Sequence, residues 1–109
     1  MRALIVITCL LFSSMAMANE LPRYDVEAHC EKIATVGGDR SAMMYNGCID
    51  MEQDSYNSIR DMWGDLPGET QQHCTRIAEV GGTGSYQMLS GCIDMETSAA
   101  NNQSEFSFD

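Results

Sequence analysis

The segment 29–53, HCEKIATVGGDRSAMMYNGCIDMEQ, recurs 44 residues later as segment 73–97, HCTRIAEVGGTGSYQMLSGCIDMET. The two segments align without a gap and share 15 of 25 residues. Chance does not produce such a match, so the sequence predicts an internal duplication. The fold of the chain therefore follows from the fold of one repeated unit.

Each unit has the pattern of a helix, a glycine turn and a second helix. Asp25 is suited to cap the first helix, and the Gly37–Gly38 pair ends it because glycine accepts the left-handed conformation. Ser41 can cap the helix that follows. Residues at helical spacing lie on both sides of the turn: Val26, Cys30, Ile33 and Val36 before it, and Met44, Cys48 and Met51 after it. The pattern predicts an all-α chain of two tandem antiparallel helical hairpins.

The cysteine positions predict one disulfide in each hairpin. Cys30 lies seven residues before Gly37, and Cys48 lies seven residues after Ser41. Positions equally far from a turn face each other in an antiparallel helix pair, so we expect Cys30–Cys48 and, by the same spacing, Cys74–Cys92. Each bond would add roughly 3 kcal/mol to the stability of a unit too small for a large core. We expect the helix-breaking glycines beside these bonds, Gly47 and Gly91, to permit close helix approach.

The first 18 residues have the features of a secretory signal peptide. Arg2 precedes the apolar run 3–12, and Ala16-Met17-Ala18 matches a cleavage signal. The apolar run is too short to span a membrane, and cleavage after Ala18 would leave four cysteines. We therefore expect a periplasmic or secreted protein without a membrane span in the mature chain. The predicted organisation is a signal peptide (1–18), a first hairpin (19–63), a linker (64–68), a second hairpin (69–100) and a flexible tail (101–109).

Composition limits the function. The chain has 109 residues, with 16 Asp and Glu against 6 Lys and Arg, and a net charge of −10. Such a charge disfavours nucleic acid and suits a basic protein partner. A hydrophobic content of 44% is sufficient for a folded core.

The residues capable of site chemistry also have structural interpretations. His29 and His73, each preceding a cysteine, are weak candidates for metal ligands, and we expect them to face solvent beside the disulfides. The methionines could bind Cu(I), but those on the cysteine stripe are expected to fill the core. The repeated Asp-x-Glu pairs, Asp50/Glu52 and Asp94/Glu96, do not match a calcium loop and are expected on a solvated acidic face.

No motif for catalysis emerges, because the C-x17-C spacing differs from that of a redox motif and the Gly-Gly loops lack the ending of a phosphate loop. The sequence therefore predicts a small exported acidic protein that is not an enzyme, requires no cofactor and binds a basic protein in the bacterial envelope. Periplasmic copper or zinc handling through Met and His is the alternative. The oligomeric state is left open.

A remote alternative comes from a resemblance. The C-x17-C spacing, with Cys-Ile-Asp-Met-Glu at 48–52 and 92–96, resembles the periplasmic lysozyme-inhibitor-like domains at those positions alone. The resemblance implies binding to a cationic enzyme. It transfers no functional residue to this chain.

Overall fold

The computed structural model describes residues 20–109. In this range all regular secondary structure is α-helical or 3₁₀, and the rest of the backbone forms turns and irregular segments. Its helices are α1 (Val26–Ala34), α2 (Ala42–Met62), α3 (Gly68–Ala78) and α4 (Tyr86–Asn101), with a short 3₁₀ helix, Trp63–Asp65, after α2. The all-α class is thereby confirmed. The predicted signal peptide lies outside the described residues.

Side-chain caps fix the starts of three helices. Asp25 Oδ1 accepts a hydrogen bond from the Ala28 amide at the start of α1. Ser41 and Ser85 do the same for the amides three residues later in α2 and α4, at 3.2 and 3.3 Å. Each cap satisfies an amide that has no partner within its helix. The connections before α2 and α4 turn at Gly38 and Gly82, whose φ angles are +99° and +94°.

Two buried disulfides link the helices that lie on either side of these turns. Cys30–Cys48 joins α1 to α2 and Cys74–Cys92 joins α3 to α4, with Cα atoms 5.6 and 5.4 Å apart. The presence of disulfide bonds agrees with the expectation from the sequence. The linked helices also pack on each other, and α2 packs on α4.

The largest buried cluster lies where α2, α3 and α4 meet. Ile59 near the end of α2 and Trp63 in the following 3₁₀ helix form one cluster with apolar residues of the other two helices, including Leu89 and Ile93. The buried Gln71 side chain donates to the Trp63 carbonyl at 2.6 Å. Most of the core is therefore formed around the second disulfide and not around the first.

The methionines expected to fill the core are exposed. Met44 and Met51 are 43% and 52% exposed, and their equivalents Met88 and Met95 are 44% and 71% exposed. The expectation of core packing was wrong because it placed every apolar residue near the cysteine stripe on the buried side. The buried arc of α2 lies farther round the helix, at Cys48, Glu52 and Ile59.

The close-approach interpretation of Gly47 and Gly91 is also wrong. A Cβ built at either position meets no atom within 4 Å, and both residues are exposed. The glycine that does require the absence of a side chain is Gly84, which has φ +79° and lies against Tyr24. A Cβ at Gly84 would overlap the tyrosine ring. The glycine that a side chain could not replace therefore lies between the two halves of the chain and not beside a disulfide.

Within residues 20–109, no helix is long and apolar enough to cross a membrane. Beyond α4, residues 103–109 form no regular secondary structure and are exposed. Phe106 and Phe108 pack edge-to-face in this segment, with ring centroids 4.7 Å apart, and both remain more than 80% exposed.

Two glycine-to-alanine changes are expected to have opposite effects on stability. Gly84→Ala should lower the free energy of unfolding by about 2 kcal/mol, because the methyl group overlaps Tyr24 and the positive φ is strained. Gly47→Ala should raise it by about 0.5–1 kcal/mol, because alanine is the better helix former. Denaturant unfolding of the oxidised proteins measures both, and a loss of stability in Gly47→Ala would contradict the open surface at that site.

Candidate functional site

Glu52 is the most deeply buried charged residue of the described chain. Its side chain is 0% exposed, although the sequence predicted a solvated acidic face at this position. One carboxylate oxygen accepts a hydrogen bond from the Ser85 hydroxyl and the other accepts from the Tyr86 backbone amide, both at 2.6 Å. Burial of a carboxylate is costly unless such donors replace water. The prediction was wrong because the donors come from the other half of the chain.

The partner of Glu52 is the N-terminus of α4. Ser85 caps this helix and Tyr86 is its first residue. Amides of the first helical turn lack carbonyl partners, and the helix dipole favours negative charge there. A glutamate of α2 thus completes the start of α4. The repeated Ile-Asp-Met-Glu motif was the sequence signal for this residue, but spacing alone could not show which of its two acids is buried.

The two histidines each contact the glutamate that lies 23 residues later in the same repeat. His29 Nε2 lies 3.7 Å from Glu52 Oε1, and His73 Nε2 lies 3.4 Å from Glu96 Oε1. The first pair is enclosed, since His29 is only 20% exposed and its Nδ1 lies 3.4 Å from the Thr83 hydroxyl. The second pair is open, with both side chains about half exposed. Identical residues therefore have two different environments.

These histidines were also the weak candidates for metal ligands. Each histidine contacts one glutamate of its own repeat. Among residues 20–109, no group of three or more His, Cys, Asp and Glu side chains is arranged to hold a metal ion. The four cysteines of residues 20–109 are paired in disulfides.

Three tyrosine rings lie together beside Glu52. The Tyr86 ring lies 4.7 Å from that of Tyr24 and 5.0 Å from that of Tyr56, between centroids. The Tyr86 hydroxyl donates to the Pro22 carbonyl at 2.7 Å and accepts from the Tyr24 amide at 3.0 Å. Tyr86 thereby holds the segment before α1 against α2 and α4. A cleft of about 330 Å³ remains beside these rings, with Arg23 and Glu52 in its wall.

Burial keeps two of these phenols neutral well into the alkaline range. Desolvation, together with nearby Glu79, raises the pKa of Tyr24 to about 12. Desolvation also raises the pKa of Tyr86, against the opposing effect of its hydrogen bond with the Tyr24 backbone. Ionisation of either ring would place a negative charge beside the buried Glu52 carboxylate.

The outer surface of α2 carries two parallel stripes. Met44, Met51 and Met62 lie on one, within about 20° of each other at 100° per residue. Asp50, Asp54 and Asp61 lie on the other, within about 40°, and all three are exposed. The methionine stripe borders an apolar groove of about 260 Å³, which is closed on one side by the second half of the chain. Its lining residues are Ile33, Met44, Gly47, Cys48, Met51 and Gln87.

The acidic stripe has no equivalent on α4. Asp50 corresponds to Asp94, but the position of Asp54 is taken by Ser98, and that of Asp61 by Glu105 beyond the end of the helix. The combination of apolar groove and acidic stripe is therefore specific to α2. Comparison with protein-family models, with curated proteins and with solved structures finds no match.

Glu52→Gln should destabilise the protein more than the same change at the equivalent position, Glu96→Gln. The glutamine side chain keeps one acceptor oxygen but turns an N–H donor towards either the Ser85 hydroxyl or the Tyr86 amide, and the loss should be about 2–3 kcal/mol. Glu96→Gln changes only a half-exposed contact with His73 and should cost less than about 1 kcal/mol. Denaturant unfolding at low protein concentration compares them. Equal losses would show that Glu52 does not hold the two halves together.

Stability should fall as the pH rises from about 10 towards 12. In the unfolded chain Tyr24 ionises near its ordinary pKa of 10, whereas the folded protein holds the proton to about 12. The unfolded state therefore binds fewer protons in this window, and the stabilisation present below pH 10 is lost through it. Tyr24→Phe should make the decline shallower and remove the latest step of the tyrosinate absorbance titration. A titration in which all tyrosines ionise together near pH 10 would contradict this assignment.

Proposed function

We propose that this protein is a small exported acidic protein, not an enzyme, which binds a basic protein partner in the bacterial envelope through the outer surface of α2. One observation carries the proposal: an exposed methionine stripe runs beside an exposed aspartate stripe on the same helix. The first stripe offers apolar contact and the second offers negative charge. An amphipathic cationic helix has the complementary arrangement.

The methionine stripe favours binding because its side chains are not used by the core. Met44 and Met51 stand beside the groove with roughly half of their surface in water. Burying a methionine against a partner is favourable, and its flexible thioether adapts to surfaces of different shape. Such surfaces occur on proteins that bind several related helices.

The charge distribution favours a cationic partner. The net charge of the sequence is −10, and all but two of the Asp and Glu side chains in residues 20–109 are exposed. Asp61 of the aspartate stripe pairs with Arg60 on the surface, at 3.8 Å. A field of this sign steers basic molecules towards the protein, and salt weakens it.

The helix pairs support the predicted duplication. We interpret α1–α2 and α3–α4 as tandem antiparallel hairpins within 19–63 and 69–100, since equivalent cysteines join each pair. Disulfides persist in oxidising compartments, which supports export with cleavage after Ala18. The small core and the two bonds suit a protein that must remain folded outside the cytoplasm.

Metal handling is a second candidate, favoured by the exposure of the methionines. Thioethers at the surface are accessible to Cu(I), whereas thioethers in a core are not. Titration with Cu(I), followed by native mass spectrometry, tests this candidate. Stoichiometric binding lost in Met44→Ser/Met51→Ser would favour it over protein binding.

The favoured proposal predicts binding of a synthetic amphipathic Leu/Lys helix. Replacing the aspartate stripe, in Asp50→Asn/Asp54→Asn/Asp61→Asn, should weaken binding by about tenfold at low salt and flatten its salt dependence. Glu69→Gln/Glu79→Gln/Glu105→Gln removes the same charge elsewhere and should have a smaller effect. Isothermal titration calorimetry measures the affinities, and equal effects of the two variants would refute a binding surface on α2.

The groove itself should be sensitive to Met44→Ser/Met51→Ser, with about tenfold weaker binding because apolar contact is lost. The equivalent change in the second repeat, Met88→Ser/Met95→Ser, is the matched control and should leave affinity nearly unchanged. A cationic lysozyme serves as the globular probe for the remote alternative. Binding of lysozyme but not of the helix would support that alternative against the one proposed here.

A further inference from the structure

The two repeats carry the same His–Glu pair, but only one pair has a helix docked on it. In the first repeat, His29 and Glu52 receive the start of α4 from the second repeat. In the second repeat, His73 and Glu96 are about half exposed, at the edge of an open depression of about 360 Å³. The contact is therefore one-directional: one repeat offers a carboxylate and the other offers a helix N-terminus.

The complementary element, a helix N-terminus, is present in the first repeat at the start of α2. The start of α2 has the same design as the start of α4, with Ser41 as its cap and Ala42 as its first residue. Ser41 accepts from the Met44 amide at 3.2 Å, as Ser85 accepts from the Met88 amide at 3.3 Å. The Ser85 oxygen caps α4 while its hydroxyl hydrogen is donated to Glu52. The Ser41 hydroxyl can donate in the same way while it caps α2.

We propose that a second copy of this chain docks the N-terminus of its α2 on the His73–Glu96 pair, which gives head-to-tail association. The Ser41 hydroxyl and Ala42 amide of one copy would donate to the Glu96 carboxylate of the next. This contact repeats between chains the contact that Glu52 makes within one chain. The proposal is independent of the cationic partner.

Further contacts between the repeats have counterparts that preserve their chemistry. Lys32 Nζ lies 3.4 Å from the Gly81 carbonyl, and the equivalent residues are Arg76 and Gly37. Thr83, which contacts the His29 ring, is replaced by Asp39. An aspartate accepts a hydrogen bond from an imidazole N–H, so it can fill the same place against His73.

The aromatic part of the internal contact has no counterpart, which limits the strength of association. Ala42 stands where Tyr86 stands in the second repeat, and Arg40 stands where Gly84 receives the Tyr24 ring. The contact between chains therefore lacks the tyrosine cluster and is weaker than the contact within one chain. In a head-to-tail dimer, one copy still has an unoccupied α2 N-terminus and the other still has an unoccupied His73–Glu96 pair. Association therefore extends beyond dimers as concentration rises.

Salt separates this contact from binding of a cationic partner. Two copies of a chain with net charge −10 repel each other, and salt screens that repulsion. Self-association should strengthen with salt, whereas binding of a cationic helix should weaken. Either interaction can thus fail without the other.

Sedimentation equilibrium of the oxidised protein, up to about 1 mM, tests the proposal. The mean mass should rise with concentration, and Glu96→Gln should weaken association by about tenfold. Asp94→Asn removes the same charge two residues away; as the control for Glu96→Gln, it should retain association. Ser41→Asp keeps a good helix cap but faces Glu96 with a like charge, so it should weaken association at least as much as Glu96→Gln does. Asn46→Asp is its charge-matched control and should retain association.

Mixing the two defective variants provides a test of direction. The Ser41→Asp chain keeps its Glu96, and the Glu96→Gln chain keeps its Ser41, so a mixture should form dimers that cannot grow further. A wild-type protein that is monomeric up to about 1 mM would overturn the proposal. Association that persists in both variants would also overturn it, as would an equal loss of association in the two control variants. A mixture of the two defective variants that forms no dimers would overturn it too.

Discussion

A buried carboxylate at the start of a helix holds this protein together. Glu52 is fully buried between α2 and α4, and its two oxygens accept from a hydroxyl and an amide of the other repeat. Neither group could be buried without the other, because each would lose its hydrogen bonds to water. The disulfides stabilise each helix pair, but this contact and the adjoining apolar cluster determine how the pairs sit on each other.

The packing of the tyrosines depends on that contact. Once Glu52 fixes the start of α4, Tyr86 projects between Tyr24 and Tyr56 and its hydroxyl fastens the segment that precedes α1. Gly84 leaves room for the Tyr24 ring. Gly84 and Tyr86, which stand in place of Arg40 and Ala42, thus adapt one turn to an internal interface. The shared cysteines join each helix pair, and the shared Glu52 and Ser85 also take part in the interface.

This difference leaves each repeat with a different outer surface. The first repeat has a groove bounded by methionines and an aspartate stripe, partly closed by Gln87 of the second repeat. The second repeat keeps an open His73–Glu96 pair. The surfaces that we propose for a cationic helix and for a second copy of the chain are therefore at different places, with opposite responses to salt.

The sequence by itself determined the helical class, the helix caps and the presence of disulfides, because these depend on local periodicity, on capping side chains and on cysteine number. It predicted the positions of the turns from the Gly-Gly pairs for the same reason. It did not determine which arc of α2 is buried: Met44 and Met51 satisfy the helical apolar pattern and yet are exposed, while Glu52 breaks that pattern and is buried. Only the tertiary structure decided this, because the donors that make burial of Glu52 favourable lie 33 and 34 residues away, at the start of α4.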